Sequence, residues 1–135
     1  MARYPPVCAS ACYVVLMEPL HTSDAHVLAA VIRMERQRAG LTQAEVAAGL
    51  GLSQPAWSRV ESAHSVMPAG MLLALEHVLG IPGHKLLDQA RRVVIRLSDL
   101  GLEVRMGRPD EAAMAPGDAL IELLMSADQW PPKTT

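Results

Sequence analysis

Apolar side chains recur at helical spacing from residue 24 to about residue 87, in short units that end at polar residues or glycines. Leu28 and Ile32 lie on one side of the first predicted helix. Asp24 is its predicted N-cap, and Gly40 follows its last turn as a C-terminal glycine. The pattern therefore begins with one amphipathic helix of about 15 residues.

Two shorter helices with a tight turn between them follow the first helix. Thr42 and Glu45 have the spacing of a capping box, which predicts a second helix over residues 43–50. A serine at the end of a turn over residues 51–53 is the next N-cap, and it predicts a third helix from residue 54 to about residue 62. Both helices are short, so their packing on the first helix must stabilise them.

Two further helices are predicted downstream. Apolar residues over 71–78 predict a fourth helix that ends at Gly80. Leu86 and Leu87 belong to a fifth helical segment, which begins after Pro82. The fold class is therefore mainly α, with five helices in this part of the chain.

The segments on either side of these helices give mixed signals. Residues 12–17 of the N-terminal leader are β-prone, and the leader is predicted to be either a short strand or a disordered start. The β-branched residues within 93–106 permit either a longer fifth helix or two strands around a turn, so the C-terminal extension is α or α+β. A last helix is predicted from about residue 118. The resulting divisions are a leader (1–23), a helical domain (24–87) and a C-terminal extension (88–135).

Composition limits the size and the make-up of the core. The chain has 135 residues, which fits one domain, and half of them are hydrophobic. Aromatic residues are 3% with no Phe, so the core must consist of aliphatic side chains and some of the eight Met. The formal net charge is -2, which by itself argues against a nucleic-acid-binding protein, since such proteins are more often basic.

The cysteines and histidines indicate no catalytic centre. Cys8 and Cys12 are too few for a disulfide framework, so we expect a reducing, cytoplasmic location. The apolar run at Tyr13 is too short for a signal peptide or a membrane span, so no membrane association is predicted. The histidines are scattered without a nucleophile or a phosphate loop, so we predict no enzyme activity and no cofactor. A metal or redox switch of the two cysteines with His21 and His26 is a weaker alternative, and no metal site is predicted, because the Cys-x3-Cys spacing is not diagnostic.

The predicted second and third helices, with their turn, resemble the Cro/cI-like helix-turn-helix DNA-binding proteins of the xenobiotic-response-element type. The matching features are Gly-Leu-Thr-Gln at residues 40–43, the small Ala47 where two helices cross, Gly51 in the turn, and Ser-Arg-Val-Glu at residues 58–61. The resemblance covers about residues 24–87. It implies a five-helix DNA-binding domain.

The resemblance also assigns the structural residues of the motif. The core is assigned to Ala47, Gly51, Trp57 and Val60. Trp57 stands where the family usually has an aliphatic core residue, and we assign it to the core rather than to stacking on a base or a ligand. Arg36 and Glu61 match a pair that in the family joins the first helix to the end of the third, and the resemblance implies an ion pair between them.

The third helix is implied to enter the DNA major groove. Gln54 is the predicted reader, because a glutamine amide can pair with N6 and N7 of adenine. Arg59 is expected to reach guanine or a phosphate, and Ser58 a phosphate or water. Thr42 and Gln43 match the phosphate clamp of the family at the start of the second helix. The full predicted DNA-binding set is Thr42, Gln43, Ser53, Gln54, Pro55, Ser58, Arg59 and His64.

Departures from the family pattern lower the expected affinity for DNA. Pro55 replaces a side chain that often reads bases, and residues 63–65 are Ala-His-Ser where many relatives are basic. Residues 24–80 contain four arginines against five acidic residues, so a monomer should bind phosphate weakly. We therefore predict a homodimeric transcriptional repressor that reads a two-fold-symmetric site in double-stranded DNA through residues 54–62, with residues 88–135 as its dimerisation element.

The same low charge and the apolar flanks also permit a different class of function. A protein-interaction module, antitoxin-like or adaptor-like, could retain the helix-turn-helix fold and bind a protein partner. A separate alternative to dimerisation is that residues 88–135 pack on their own helical cluster instead of on a second subunit.

Overall fold

The structure is a computed structural model that describes residues 21–106. Within this range the chain is mainly helical, as predicted, with five helices and two short strands. In chain order the elements are β1 (His21–Ser23), α1 (Asp24–Arg38), α2 (Gln43–Leu50), α3 (Gln54–Glu61), α4 (Ala69–Leu79), α5 (Gly83–Asp99) and β2 (Glu103–Arg105). No helix in this range has the length and apolar character needed to cross a bilayer. The predictions for residues 12–17 and for a helix from residue 118 lie outside the described residues.

Side-chain caps set the beginnings of the first three helices. The N-cap of α1 is Ser23, whose Oγ accepts a hydrogen bond from the His26 N–H at 3.1 Å. The prediction that Asp24 caps this helix is wrong. Asp24 lies inside the first turn, where its negative charge interacts favourably with the helix dipole. The predicted caps of α2 and α3, Thr42 and Ser53, are confirmed.

The core lies between α1 and α5, with α3 and α4 packed against them. Trp57 of α3 is 0% exposed and is the largest of the fully buried side chains in the described part of the chain. Around it the core is aliphatic, as the composition predicted, and burial of each such side chain contributes about 1.5–3 kcal/mol. The fully buried aliphatic residues are Val27, Val31, Ile32, Val46, Leu75, Leu86, Val93 and Leu97.

The sequence permits either helix or strand over residues 93–106, and the structure contains one of each there. Val93 and Leu97 are one helical turn apart and both are fully buried, so α5 continues to Asp99. Their helical period prevails over the β propensity of Val94 and Ile95. After α5 the chain turns at Gly101, which has a φ of 90°, and enters β2.

The two strands join the beginning of the domain to its end. β1 and β2 pair in parallel, with Thr22 opposite Val104. This pairing fixes the start of α1 next to the chain that leaves α5. α5 passes through residues 87 and 88 without a break, and the division of the chain at that point stays a prediction.

Candidate nucleic-acid interface

α2, a three-residue turn and α3 form a closed unit. Gly51 has φ 71° and ψ 25°, in the left-handed region that favours glycine. The Leu52 N–H donates to the Ala47 carbonyl at 2.8 Å, and the Gly51 N–H donates to the Ala48 carbonyl at 3.2 Å. These bonds satisfy carbonyls at the end of α2. Ala47 is itself buried, so a larger side chain has no room there.

α3 has one exposed side and one buried side. Gln54, Pro55 and Arg59 are exposed, and Ser58 is half-buried. The buried side consists of Trp57, Val60 and Glu61. The exposed side is therefore free to approach another molecule, while the other holds the helix on the domain.

Arg36 and Glu61 lie in contact at the edge of the buried side. Arg36 Nη2 is 2.8 Å from Glu61 Oε1, and Arg36 Nε is 3.0 Å from Glu61 Oε2. The Arg36 side chain is 11% exposed and that of Glu61 is 1% exposed. Arg36 Nη1 also donates to the Leu41 carbonyl at 2.8 Å. One guanidinium thus connects α1, the loop after it and the end of α3.

Two glutamines extend this cluster to the exposed surface. Gln43 Nε2 donates to Glu61 Oε1 at 3.4 Å, and Gln54 Nε2 donates to Gln43 Oε1 at 2.9 Å. The Glu61 carboxylate can only accept, so it fixes the Gln43 amide with its oxygen toward Gln54. That oxygen in turn fixes the Gln54 amide. The second N–H and the Oε1 of Gln54 remain for a ligand.

The other predicted contact residues lie at the ends of α2 and α3. Thr42 and Ser53 are exposed N-caps, so their hydroxyl groups accept hydrogen bonds from backbone N–H groups. Thr42 Oγ1 also donates to Glu45 Oε1 at 3.1 Å, which places a negative charge beside the start of α2. His64 is exposed in the loop after α3, with its Nδ1 2.7 Å from Ser62 Oγ.

Positive charge is sparse on this surface. Arg59 is the one cation of α3, and within residues 21–106 it forms no ion pair. Arg38, at the end of α1, is paired with Glu35 at 2.9 Å. Arg59 is therefore the cation of α3 that can meet a phosphate or a base directly.

A second histidine lies close to the loop after α3. His26 Nδ1 is 2.8 Å from Ser23 Oγ at the start of α1. Burial lowers the pKa of His26, and the nearby His64 lowers it further because two positive charges would repel. Within the described part of the chain, no cluster of three or more His, Cys, Asp or Glu residues is placed to hold a metal ion.

Comparison with known families agrees with this geometry. Residues 27–88 match the family model of the helix-turn-helix domain. This segment is a helix-turn-helix domain. In helix-turn-helix proteins that bind DNA, the second helix of the motif lies in the major groove. The match therefore indicates a DNA-binding regulator. No curated protein and no solved structure is significantly similar to the chain.

The helix-turn-helix domain also depends on contacts that sequence reasoning missed. A Cβ at Gly49 would lie 2.8 Å from Val78 Cγ2, so this glycine lets α2 approach α4 closely. The available signal was a glycine inside a predicted helix, which usually has a packing reason. The hydrogen bond between Gln43 and Gln54 had no sequence signal, because it depends on how the two helices cross.

Proposed function

We propose that this protein is a sequence-specific DNA-binding transcriptional regulator that acts in the cytoplasm as a dimeric repressor. The observation that carries the proposal is the hydrogen bond from Gln54 to Gln43, which orients an exposed amide at the start of α3. An amide held in one orientation loses less conformational freedom on binding than a free one. Because this hydrogen bond lies at the surface and contributes little to the core, we assign it to recognition of another molecule.

Adenine is the base that fits the oriented amide. Gln54 Oε1 can accept from adenine N6, while its remaining N–H donates to N7. A good bidentate pair of this type contributes about 1–3 kcal/mol of discrimination against a wrong base. Arg59 lies further along α3, where its guanidinium is available to guanine or to a phosphate. Pro55 has no donor or acceptor in its side chain and contributes only apolar contact there.

Phosphate contacts come from the beginnings of helices. At the start of α2 the N–H groups of Gln43 and Ala44 have no partner within the helix, whereas Thr42 already caps Glu45. α3 offers only the N–H of Gln54, because Pro55 has no N–H and Ser53 caps Ala56. The helix dipoles favour an anion at both ends. Thr42, Ser53 and the backbone of Gln43 stand at these two ends, and the loop with His64 supplies a further contact. The geometry supports a backbone clamp with few cations.

Dimerisation compensates for the low positive charge. Residues 24–80 contain one more acidic residue than they contain arginines, so a single domain gains little from counterion release. Two recognition helices about one turn of DNA apart double the specific contacts. We assign the pairing to residues 88–135. Occupation of an operator can by itself exclude polymerase, so repression requires no additional partner.

Selection of bound duplexes from a random pool, followed by footprinting, tests the proposal. The expected site is two-fold symmetric, with adenine in each half-site. The double variant Gln54→Ala/Arg59→Ala should lose most of the specific protection, whereas Gln37→Ala, which removes an exposed glutamine from α1, should keep it. Continued protection of the same site by the double variant would overturn the assignment of the recognition surface.

A protein-interaction module is the second candidate, and the net charge favours it. The exposed side of α3 carries one arginine, and Glu45 lies beside the start of α2. A duplex pool that shows no salt-dependent binding at low ionic strength would select this function over the first. The partner would then be a protein.

A further inference from the structure

An apolar groove of about 1160 Å³ lies between α1, the loop after α3, and α5. Within residues 21–106, six large apolar side chains are exposed, and four of them line this groove. These four are Val66, Leu87, Ile95 and Met106. Exposed apolar side chains that are scattered singly need no explanation, but four around one concave surface indicate a binding site.

We propose that the C-terminal part of the same chain, centred on residues 118–125, occupies this groove. The first reason is where the described chain ends. Met106 is its last residue, is 88% exposed and lines the groove, so the residues that follow start at the groove itself. Residues 107–117 contain two prolines and two glycines and can extend on the order of 35 Å, which is enough to turn back along α5.

The second reason is the pattern of the segment. Leu120, Ile121 and Leu124 fall on one side of a helix, whose predicted length over residues 118–125 is about 12 Å. A helix suits a groove between helices, because ridges of side chains on one helix fit grooves on another. The groove is also larger than the roughly 300–1,000 Å³ of typical small-molecule pockets. Its size and walls therefore fit a peptide segment better than a metabolite.

The other segments available in this molecule fit the groove less well. The apolar run over residues 12–17 is β-prone, and a strand needs a free backbone edge, which helical walls do not offer. The same C-terminal segment from a second copy is disfavoured by concentration. A short connector holds the segment at an effective concentration on the order of millimolar, above that of a second chain at micromolar concentration. Docking within the chain thus prevails.

Docking of this segment does not depend on DNA binding. With residues 118–125 in the groove of their own subunit, a dimer contact from residues 88–135 would use the outer side of α5 and of the docked segment. Failure of the DNA-binding proposal would leave the groove and its occupant unchanged.

Disulfide trapping in the full chain tests the docking directly. With Cys8→Ser and Cys12→Ser as background, Val94→Cys in the groove is combined in turn with Leu120→Cys, Ile121→Cys and Leu124→Cys. The matched control pairs Leu124→Cys with Ala44→Cys, because Ala44 is exposed and does not line the groove. Mass spectrometry and non-reducing gels then separate a bond within one chain from a bond between two chains.

We expect at least one of the three groove pairs to form a bond within the chain about tenfold faster than the control pair. Docking would raise the effective concentration of the segment beside Val94 above its effective concentration beside Ala44. A bond between two chains would overturn the inference and identify a second copy as the occupant. Equal rates for groove and control pairs would also overturn it, because the segment would then have no preferred position.

A charge placed on the apolar side of the segment provides a second readout. Leu124→Asp in the full chain should release the segment and raise the binding of an apolar fluorescent dye severalfold, with the helical circular dichroism retained. Ser126→Asp adds the same charge at a polar position and should bind the dye as the unmodified chain does. Equal dye binding by both variants would contradict the inference, and if Leu124→Asp fails to fold, the trapping experiment decides.

Discussion

Arg36 holds Glu61 through Nη2 at 2.8 Å and Nε at 3.0 Å, and the Glu61 side chain is only 1% exposed. The same Glu61 Oε1 accepts a hydrogen bond from Gln43, which in turn orients Gln54. One buried carboxylate therefore serves two purposes. It fastens the end of α3 to α1, and it fixes the amide that we propose reads DNA.

Removal of the arginine alone should destabilise the domain. Arg36→Met leaves the Glu61 carboxylate buried without its cation, and it should lower the free energy of unfolding by about 3 kcal/mol. Denaturant titration followed by circular dichroism measures this change. The double variant Arg36→Met/Glu61→Leu should recover much of the loss, because no charge then remains buried.

An exposed ion pair supplies the control for this prediction. Arg92 Nε lies 3.1 Å from Asp88 on α5, and both side chains are at least half exposed. Arg92→Met should cost less than about 1 kcal/mol, since exposed pairs contribute little. If Arg36→Met costs no more than Arg92→Met, the buried pair does not stabilise the domain in the way its geometry indicates.

Gln43→Ala separates orientation of the reader from contact with DNA. The variant keeps the Gln54 side chain and the backbone N–H of residue 43, so the phosphate clamp remains. It removes the acceptor that fixes the Gln54 amide, and the preference for adenine should fall about tenfold, within the 1–3 kcal/mol of a bidentate contact. Competition binding with single-base variants of the selected site measures the loss. The slope of affinity against salt should not change, and an unchanged adenine preference would show that the hydrogen bond to Gln43 is dispensable.

The helices of the motif could be predicted closely from the sequence because each begins at a side-chain cap. Thr42 and Ser53 accept backbone hydrogen bonds as the spacing predicts, and Gly51 takes the left-handed backbone that ends α2. Asp24 shows the limit of this reasoning. Serine and aspartate are comparable N-caps, and with Ser23 and Asp24 adjacent the sequence does not determine which residue caps the helix.

Long-range pairings had no such local signal. β1 and β2 are three residues each and lie at opposite ends of the described chain, so neither carries an alternating pattern that fixes a partner or a register. The hydrogen bond between Gln43 and Gln54 depends on the crossing of two helices, which propensities do not specify. The groove likewise depends on the packing of α1 and α5. These features follow from tertiary packing.

Gly51→Ala tests the backbone of the turn apart from packing. A Cβ at this position meets no atom within 4 Å, so the substitution introduces strain from the φ of +71° and nothing else. The cost should be about 1–2 kcal/mol. Gly70→Ala is the matched control, because Gly70 lies in α4 with open space around it and has no positive φ. Alanine there should be neutral or stabilise by up to about 1 kcal/mol, and equal thermal shifts of both variants would contradict the role of the turn.

Protonation of His26 should destabilise the domain in mild acid. Its folded pKa lies below the ordinary value of 6.5, because burial and His64 disfavour the charged form. Well above pH 6.5 the ring is neutral in both the folded and the unfolded state, so its titration contributes nothing to the free energy of unfolding. As the pH falls through 6.5 toward the lowered pKa, the unfolded chain binds the proton more readily and the free energy of unfolding decreases.

His26→Gln should therefore make the thermal midpoint less sensitive to pH between about 7.5 and 5.5, where histidines titrate. His64→Gln removes the second cause of the shift, so the pKa of His26 followed by NMR should rise toward its ordinary value without reaching it, since burial remains. A fall in midpoint that is equally steep in His26→Gln and in the unmodified chain would assign the acid sensitivity to other groups. A His26 pKa that does not move in His64→Gln would leave burial as the whole cause.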